Sequence, residues 1–411
     1  MALLALEEAI ARVLADAVPI MDEESVPLRD ARLRHLARDL AATRTQPPFS
    51  ASAMDGYAVR HADIADGTGE LRVVGTSSAG HGFGGGVGAG QAVRIFTGAP
   101  LPEGADTVVI QENVERHADD RITFREMTER GRHIRAAGLD FREGDRLLGA
   151  GDILDAGRLM LAAAMNHAEV PVRRRPRVAI LATGDELVLP GETPAVDQII
   201  ASNGFGVRAI VEEAGGVAID LGVAPDDFAS LDAAIDRGDA AGADVLVTLG
   251  GASVGDHDLV REALSRRGMA LDFWKIAMRP GKPLMFGRLG RQRVLGLPGN
   301  PVSSLVCAHL FLRPLVIRLA GGIERDDRRT AVLGRAVGAN DERQDYMRAR
   351  LSLGDEGELV ATPFERQDSS MMRVFAQADA LVVRPPYAPA ADAGEPCVVH
   401  CLREGPITRG A

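Results

Sequence analysis

Lysine is nearly missing from this 411-residue chain: among 47 basic residues only Lys275 and Lys282 are lysines, and the rest are arginine. Cysteine is almost as scarce. Cys307, Cys397 and Cys401 are too few, odd in number and wrongly spaced for a disulfide framework or a zinc site. Basic charge is not in excess, since the net charge of −11 runs against a dedicated nucleic-acid binder. No apolar run reaches the ~18 residues a membrane span needs, because Leu305–Leu312 is stopped by Arg313. The start, MALLALEEAI, lacks a basic segment and places Glu7 and Glu8 where a signal peptide stays apolar, so the chain reads as soluble and cytoplasmic. Hydrophobic residues at 46% exclude a mostly disordered chain, and the 46 glycines follow no collagen period.

What is present reads as several domains, two to four at about 150 residues each. The first 44 residues have helical spacing, with Leu3, Leu6, Ile10, Val13 and Leu14 on one face and a similar pattern over Ala31–Leu40. Short β-like runs follow to Phe141, among them Leu71–Val74, Ala92–Phe96, Thr107–Ile110 and Arg121–Phe124. The glycine-rich His81–Gly90 has no following Lys-Ser/Thr and opens no helix, which makes it a turn rather than a phosphate loop. A helix is expected over Asp155–Ala168, and Arg173-Arg-Arg-Pro-Arg177 reads as a solvated connector. Strands then alternate with helices from Val178 to Gly322, the pattern of a parallel sheet covered on both faces. The last ~90 residues return to short strands and suggest a small β-barrel or sandwich.

Unusual polar residues collect where apolar strands end. Val178–Ala182 delivers Thr183-Gly-Asp-Glu-Leu187, Asp244–Leu249 delivers Gly250-Gly-Ala-Ser-Val-Gly255 with Asp256 and Asp258, and Val294–Leu297 delivers Pro298-Gly-Asn-Pro-Val-Ser303. In such sheets ligands sit beyond the carboxyl ends of the strands. Glycines there admit a close ligand, and helix N-termini favour an anion. Carboxylates at the same mouth could hold Mg²⁺ beside a phosphate. Both lysines, Arg279 and the only Trp fall in one stretch, Trp274–Pro283, which suits an anionic, phosphate-bearing ligand.

These motifs, with Pro280-Gly-Lys-Pro283, resemble the molybdopterin-binding fold. Ser52-Ala-Met-Asp-Gly-Tyr-Ala58 and Arg94-Ile-Phe-Thr-Gly-Ala-Pro-Leu-Pro-Glu-Gly-Ala-Asp106 narrow the resemblance to the MoeA family of molybdopterin molybdenumtransferases, which is similar to the E domain of gephyrin. The resemblance covers nearly the whole chain. It implies a multidomain α/β and β architecture: an elongated linking domain from residues 1–44 and 140–172, and a β-rich domain at 45–139. A central doubly wound molybdopterin-binding α/β domain at 173–325 and a C-terminal β-barrel at 326–411 complete it.

It also implies a reaction, in which adenylylated molybdopterin and molybdate give molybdenum cofactor and AMP with Mg²⁺ assisting. The expected assembly is a homodimer whose cleft is shared between subunits, with transient contact to a molybdopterin adenylyltransferase and no role for nucleic acid or membrane. By motif, Asp55, Asp140, Glu186 and Asp258 match the acidic residues important for activity, with Asp55, Glu186 and Asp258 as candidate Mg²⁺ ligands. Asp226 matches a further acidic position. Lys275, Arg279, Lys282 and Pro283, with Arg348 and Ser369, match the molybdate site; Thr97, Ser253, Pro298 and Pro301 match positions that shape substrate binding. Ala51 and Leu139 depart from the family pattern, Arg279 stands where Lys is also common, and Gln367–Met372 lacks a usual glycine, leaving Ser369 and Ser370 as alternatives. His167 and His309 read as packed residues, His257 as a possible substrate contact and Tyr57 as packing. Two other functions share parts of this pattern: the adenylyltransferase, which would not need Ser52–Ala58 or the C-terminal barrel, and a non-catalytic gephyrin-like scaffold.

Overall fold

The computed structural model describes residues 3–67, 69–250, 259–323 and 326–403. Ser253, Asp256, His257 and Asp258 lie outside the described residues. The chain divides into two compact units, one formed by residues 25–172 and the other by 1–24 with 173–411.

The unit of residues 25–172 holds a six-stranded sheet in the order Thr107–Ile110, Gly56–Val59, Gln91–Ile95, Glu70–Ser77, Arg121–Phe124, Val114–Arg116. Alternate residues go to opposite faces. Tyr57 and Val59 join one apolar cluster with Leu71 and Val109, while Ala58 joins another with Val93, Ile95 and Val108. A separate core brings Ala31, Leu36, Leu40 and Ala42 against Phe141, Leu148, Leu154, Ala162 and Met165. The helix expected near 155 runs from Ala156 to Ala164, capped by the Asp155 carboxylate, which accepts from the Arg158 N–H.

Residues 31–40 are not helical. Leu33 has φ of 58°, and the segment pairs instead with a distant one: Leu33 N–H donates to Leu154 O, Leu36 N–H to Asp152 O and Leu154 N–H to Arg34 O. A buried Leu36 needs only one inward position, and these non-local bonds satisfy the backbone without a helix.

In the other unit the sheet strands are β1 (Arg177–Thr183), β2 (Val217–Ala224), β3 (Val245–Leu249), β4 (Ala270–Lys275), β5 (Pro283–Leu289) and β6 (Gln292–Leu297). Their order is β2-β1-β3-β6-β5-β4. The first four are mutually parallel, whereas β5 and β4 add antiparallel at the edge, so the sheet is mixed. The N-terminal helix is α1 (Leu6–Leu14); α2 (Asn203–Glu213), α3 (Phe228–Ala240) and α4 (Leu259–Arg266) follow in chain order. One core joins α2 and the helical stretch Pro301–Ala320 to the sheet, and Leu6, Ala9 and Val13 of α1 enter it at helical spacing. The other face carries α3 and α4, so helices cover both faces. Each fully buried leucine or valine there contributes roughly 1.5–3 kcal/mol. The stretch Pro301–Ala320 is long and apolar enough to cross a membrane by composition, yet 72% of it is buried inside the molecule as a core helix.

Arg173–Arg177 is not a solvated connector. Arg174 forms paired bonds of 3.0 Å to both carboxylate oxygens of Asp244 and a further one to Asp22, tying the start of β1 to the loop before β3. The C-terminal strands β7 (Arg328–Leu333), β8 (Gln344–Leu353), β9 (Leu359–Pro363), β10 (Ala380–Arg384) and β11 (Pro396–Cys401) close in the order β8-β9-β7-β11-β10-β8, a five-stranded barrel. A short helix, Met372–Gln377, interrupts the expected run of strands.

Candidate active site

The carboxyl ends of β1, β2, β3 and β6 open into a cavity of about 1160 Å³. Thr183, Gly184 and Glu186 enter it from β1, Asp226 from β2, Gly250 from β3, and Pro298–Pro301 from β6. Both α2 and the helix beginning at Pro301 direct their N-termini toward it, through Ser202–Gly204 and Asn300–Pro301. Unpaired N–H groups at such ends favour a negatively charged ligand.

Local backbone chemistry explains the carboxylates' positions. Gly184 has φ of 144°, and a Cβ there would lie 2.4 Å from Glu186 Oε2, so only glycine lets this side chain fold back over the turn. Asp185 accepts the Asp226 N–H at 3.0 Å, joining the β1 and β2 loops. The Asp226 carboxyl is pushed above the ordinary range by burial, then by the charges of Asp185 and Glu186. Asp227, beside it, caps α3, taking the Ser230 N–H at 2.8 Å.

On one side of the cavity stands the turn before β5. Pro283 lines the cavity, and Lys282 is exposed next to it. Gly281, at φ of 116°, packs so closely on the helix behind that an added Cβ would meet Cys307 Sγ at 2.6 Å. Lys275 pairs in register with Pro283, its ammonium 4.5 Å from the Trp274 ring centroid. Arg279 is committed elsewhere: it donates to Asp345 at 2.5 Å and to Asp341 at 3.3 Å, both in the barrel region.

Arg348 lies on β8 and is only 1% exposed. Among the described residues its guanidinium makes two long bonds, to the carbonyls of Tyr346 at 3.4 Å and Asp368 at 3.3 Å, and its Nε has no partner there. The nearby carboxylates are already occupied, Asp345 by Arg279 and Asp368 by Ser370. Burial lowers the Arg348 guanidinium to about 10. The segment it braces runs directly to the cavity: Ser369 accepts from Asn300 Nδ2 at 3.0 Å and its carbonyl takes the Val302 N–H, while Ser370 lines the wall.

Sequence reasoning overlooked several lining residues. Gln198, Ile199 and Ile200 come from a loop with no motif to mark it. Asn203 opens α2, and its Nδ2 donates to Gly299 O at 2.7 Å and joins two loops of the mouth. Ser202, just before it, makes no capping bond and donates to Met372 Sδ at 3.4 Å.

In the other unit Asp55 and Thr97 meet. Both the backbone N–H and the hydroxyl of Thr97 donate to Asp55 Oδ1 at 2.8 Å. These bonds, helped by the charge of Arg94, hold the Asp55 carboxyl below the usual range. Arg94 lies between the rings of Tyr57 and Phe96 and donates to Gly56 O and Gln111 Oε1, while the Gln111 N–H binds Asp55 O. Asp140 is exposed, with its N–H bonded to Gln46 O. Of the histidines, His167 bonds Ala41 O at 2.9 Å and His309 packs against Phe375, so both serve the fold.

Known proteins share this organisation. Residues 4–166 match the MoeA N-terminal region (domain I and II), 179–318 the probable molybdopterin binding domain, and 330–402 the MoeA C-terminal region (domain IV). The molybdopterin molybdenumtransferase of Haemophilus influenzae is 35% identical over 97% of this chain and 98% of its own. That of Bacillus subtilis is 33% identical over 93% of this chain and 90% of its own. The solved molybdopterin biosynthesis MoeA protein of Pyrococcus horikoshii superposes with a TM-score of 0.82 at 31% identity, over 98% of this chain and all of that one. The chain belongs to the molybdopterin molybdenumtransferase family, enzymes of molybdenum cofactor biosynthesis.

Proposed function

We propose that this transferase inserts molybdate into adenylylated molybdopterin, releasing AMP and leaving the metal on the dithiolene sulfurs. The observation that carries the reading is the cavity at the ends of four parallel strands: carboxylates and two helix N-termini face it, and the only lysines neighbour its lining residue Pro283, Lys282 in sequence and Lys275 in strand register. A phosphate-bearing ligand fits those N-termini. Molybdate is a dianion that cationic side chains can hold without redox chemistry, and Lys275, Lys282 and Arg348 supply that character, with Ser370 on the cavity wall. Arg279 braces this site through Asp345.

Glu186 and Asp226 face the same cavity, where burial first, then the charges of Asp185 and Glu186, push the Asp226 carboxyl up. Their hard oxygens suit Mg²⁺, which takes one or two carboxylates with substrate phosphates. We assign Glu186, with Asp258 and Asp55, to hold it; bound there, it would neutralise charge on the adenylyl phosphate. Asp226 retains a proton more readily than an ordinary carboxyl and is suited to hand it to a departing oxygen. Among the described residues no three His, Cys, Asp or Glu side chains form a metal-holding group; Asp258 lies outside them.

The reading includes a homodimer in which Asp55 and Thr97 of each chain serve the partner's cavity; the outward placement of their bonded pair supports this. It also places the protein in the cytoplasm, in keeping with three free cysteines, where an adenylyltransferase would hand over its product. Glu186→Gln and Asp226→Asn test the site. Each should bind the substrate and lose at least about tenfold in AMP release, the scale for an acid–base or metal-holding group. Release at the wild-type rate by both would remove these carboxylates from the chemistry.

A further inference from the structure

Trp274 and Lys275 are neighbours on β4, the edge strand. Consecutive strand residues ordinarily point to opposite faces, yet the Lys275 ammonium lies 4.5 Å from the Trp274 ring centroid. The register of β4 against β5 shifts between Phe273 and Lys275, which breaks the alternation locally. The guanidinium of Arg261, on α4, lies 4.4 Å from the same ring, so one indole serves two cations. Trp274 is half-buried and its Nε1 is enclosed with no hydrogen-bond partner, so packing and the π-face hold the ring in place. Lys275 makes no ion pair with a described residue. Arg279, four residues on, is by contrast neutralised by Asp345 and Asp341.

We infer that Trp274 is the positioning residue of Lys275, holding its ammonium on the indole face, opposite the cavity-lining Pro283, with no carboxylate among the described residues to neutralise it. The inference rests on the oxyanion reading of Lys275. A cation–π contact is weak beside the attraction between an ammonium and a dianion in a partly buried setting. An oxyanion can therefore pair with Lys275 while the ring still holds the ammonium in place, whereas an aspartate partner would have to be displaced. Because Trp274 is the only tryptophan, its emission reports the pairing of an anion with the ammonium on its face.

The experiment titrates the full-length protein with sodium molybdate, following tryptophan emission and calorimetric heat in parallel. The expected result is a saturable emission change that tracks the calorimetric isotherm in wild type and is absent in Lys275→Gln. Trp274→Leu should weaken molybdate binding by about three- to tenfold, the range a cation–π contact supplies, with kcat kept at saturating molybdate. Trp274→Phe, which restores a π-face, should recover most of that affinity. Calorimetric uptake with unmoved emission, or wild-type affinity in Trp274→Leu, would overturn the positioning role alone. No calorimetric uptake at all would overturn the oxyanion reading beneath it.

Discussion

Replacing Arg348 by methionine separates an anion site from a structural brace. The guanidinium is buried, makes two long bonds to carbonyls and, among the described residues, pairs with no carboxylate. Burial lowers it from the ordinary arginine range to about 10; at about 1.36 kcal/mol per unit, the charged form is disfavoured by about 3 kcal/mol. Methionine removes that penalty and fills similar space, while leaving the Tyr346 and Asp368 carbonyls short of a donor at about 1 kcal/mol each. The two effects nearly cancel, so Arg348→Met should melt within a few degrees of wild type without ligand. Molybdate at a hundredfold its Kd should stabilise wild type by about 2.7 kcal/mol and leave the variant unmoved. Thermal unfolding with and without molybdate reads both quantities. A variant that keeps the full molybdate shift would refute the argument and reduce Arg348 to a brace for Asp368–Ser370.

Thr97→Val removes one of two bonds to Asp55 Oδ1, so the Asp55 carboxyl should rise toward its ordinary value and the acid limb of the transferase pH profile should move upward; an unchanged limb would separate Asp55 from that ionisation. Gly184→Ala forces Glu186 out of its fold-back over the turn; it should cost at least about tenfold in kcat with the melting temperature lowered only modestly, measured by steady-state kinetics and calorimetry. His309 is held down to about 4 by burial and by His400 and Arg313. A depressed value means stability is intact above the unfolded value of 6.5 and is lost as pH falls toward 4, by about 3 kcal/mol in all. Melting temperature should therefore fall across that window, and His309→Leu should flatten the slope.

The cavity was legible because its makers announce themselves: apolar strands ending in Thr183-Gly-Asp-Glu, Gly250 and Pro298-Gly-Asn-Pro can hardly be anything but loops at strand ends. Residues held by distant partners were less readable. Ala31–Leu40 has apolar residues at helical spacing, but Leu33 and Leu36 take their backbone bonds from 152–154, which no local pattern records. Strand β5 escaped notice because Pro283 and Gly287 look like breakers, although Pro283 stands at its first position and Gly287 faces the Ala270 carbonyl too closely for a side chain. Among the predicted ligands, Glu186, Asp226, Pro283, Pro298 and Pro301 share the cavity, whereas Arg279 turns to the barrel and Ser370, not Ser369, reaches the wall. Asp345 and Asn300 decide those two outcomes, and both are remote in sequence.

The most direct test is AMP release from adenylylated molybdopterin by the purified protein with Mg²⁺, in the presence of molybdate, tungstate or neither. Molybdate-dependent AMP release, matched by active cofactor formed in equal amount, is the predicted result. Bound substrate that yields no AMP with either oxyanion would contradict the insertion reaction.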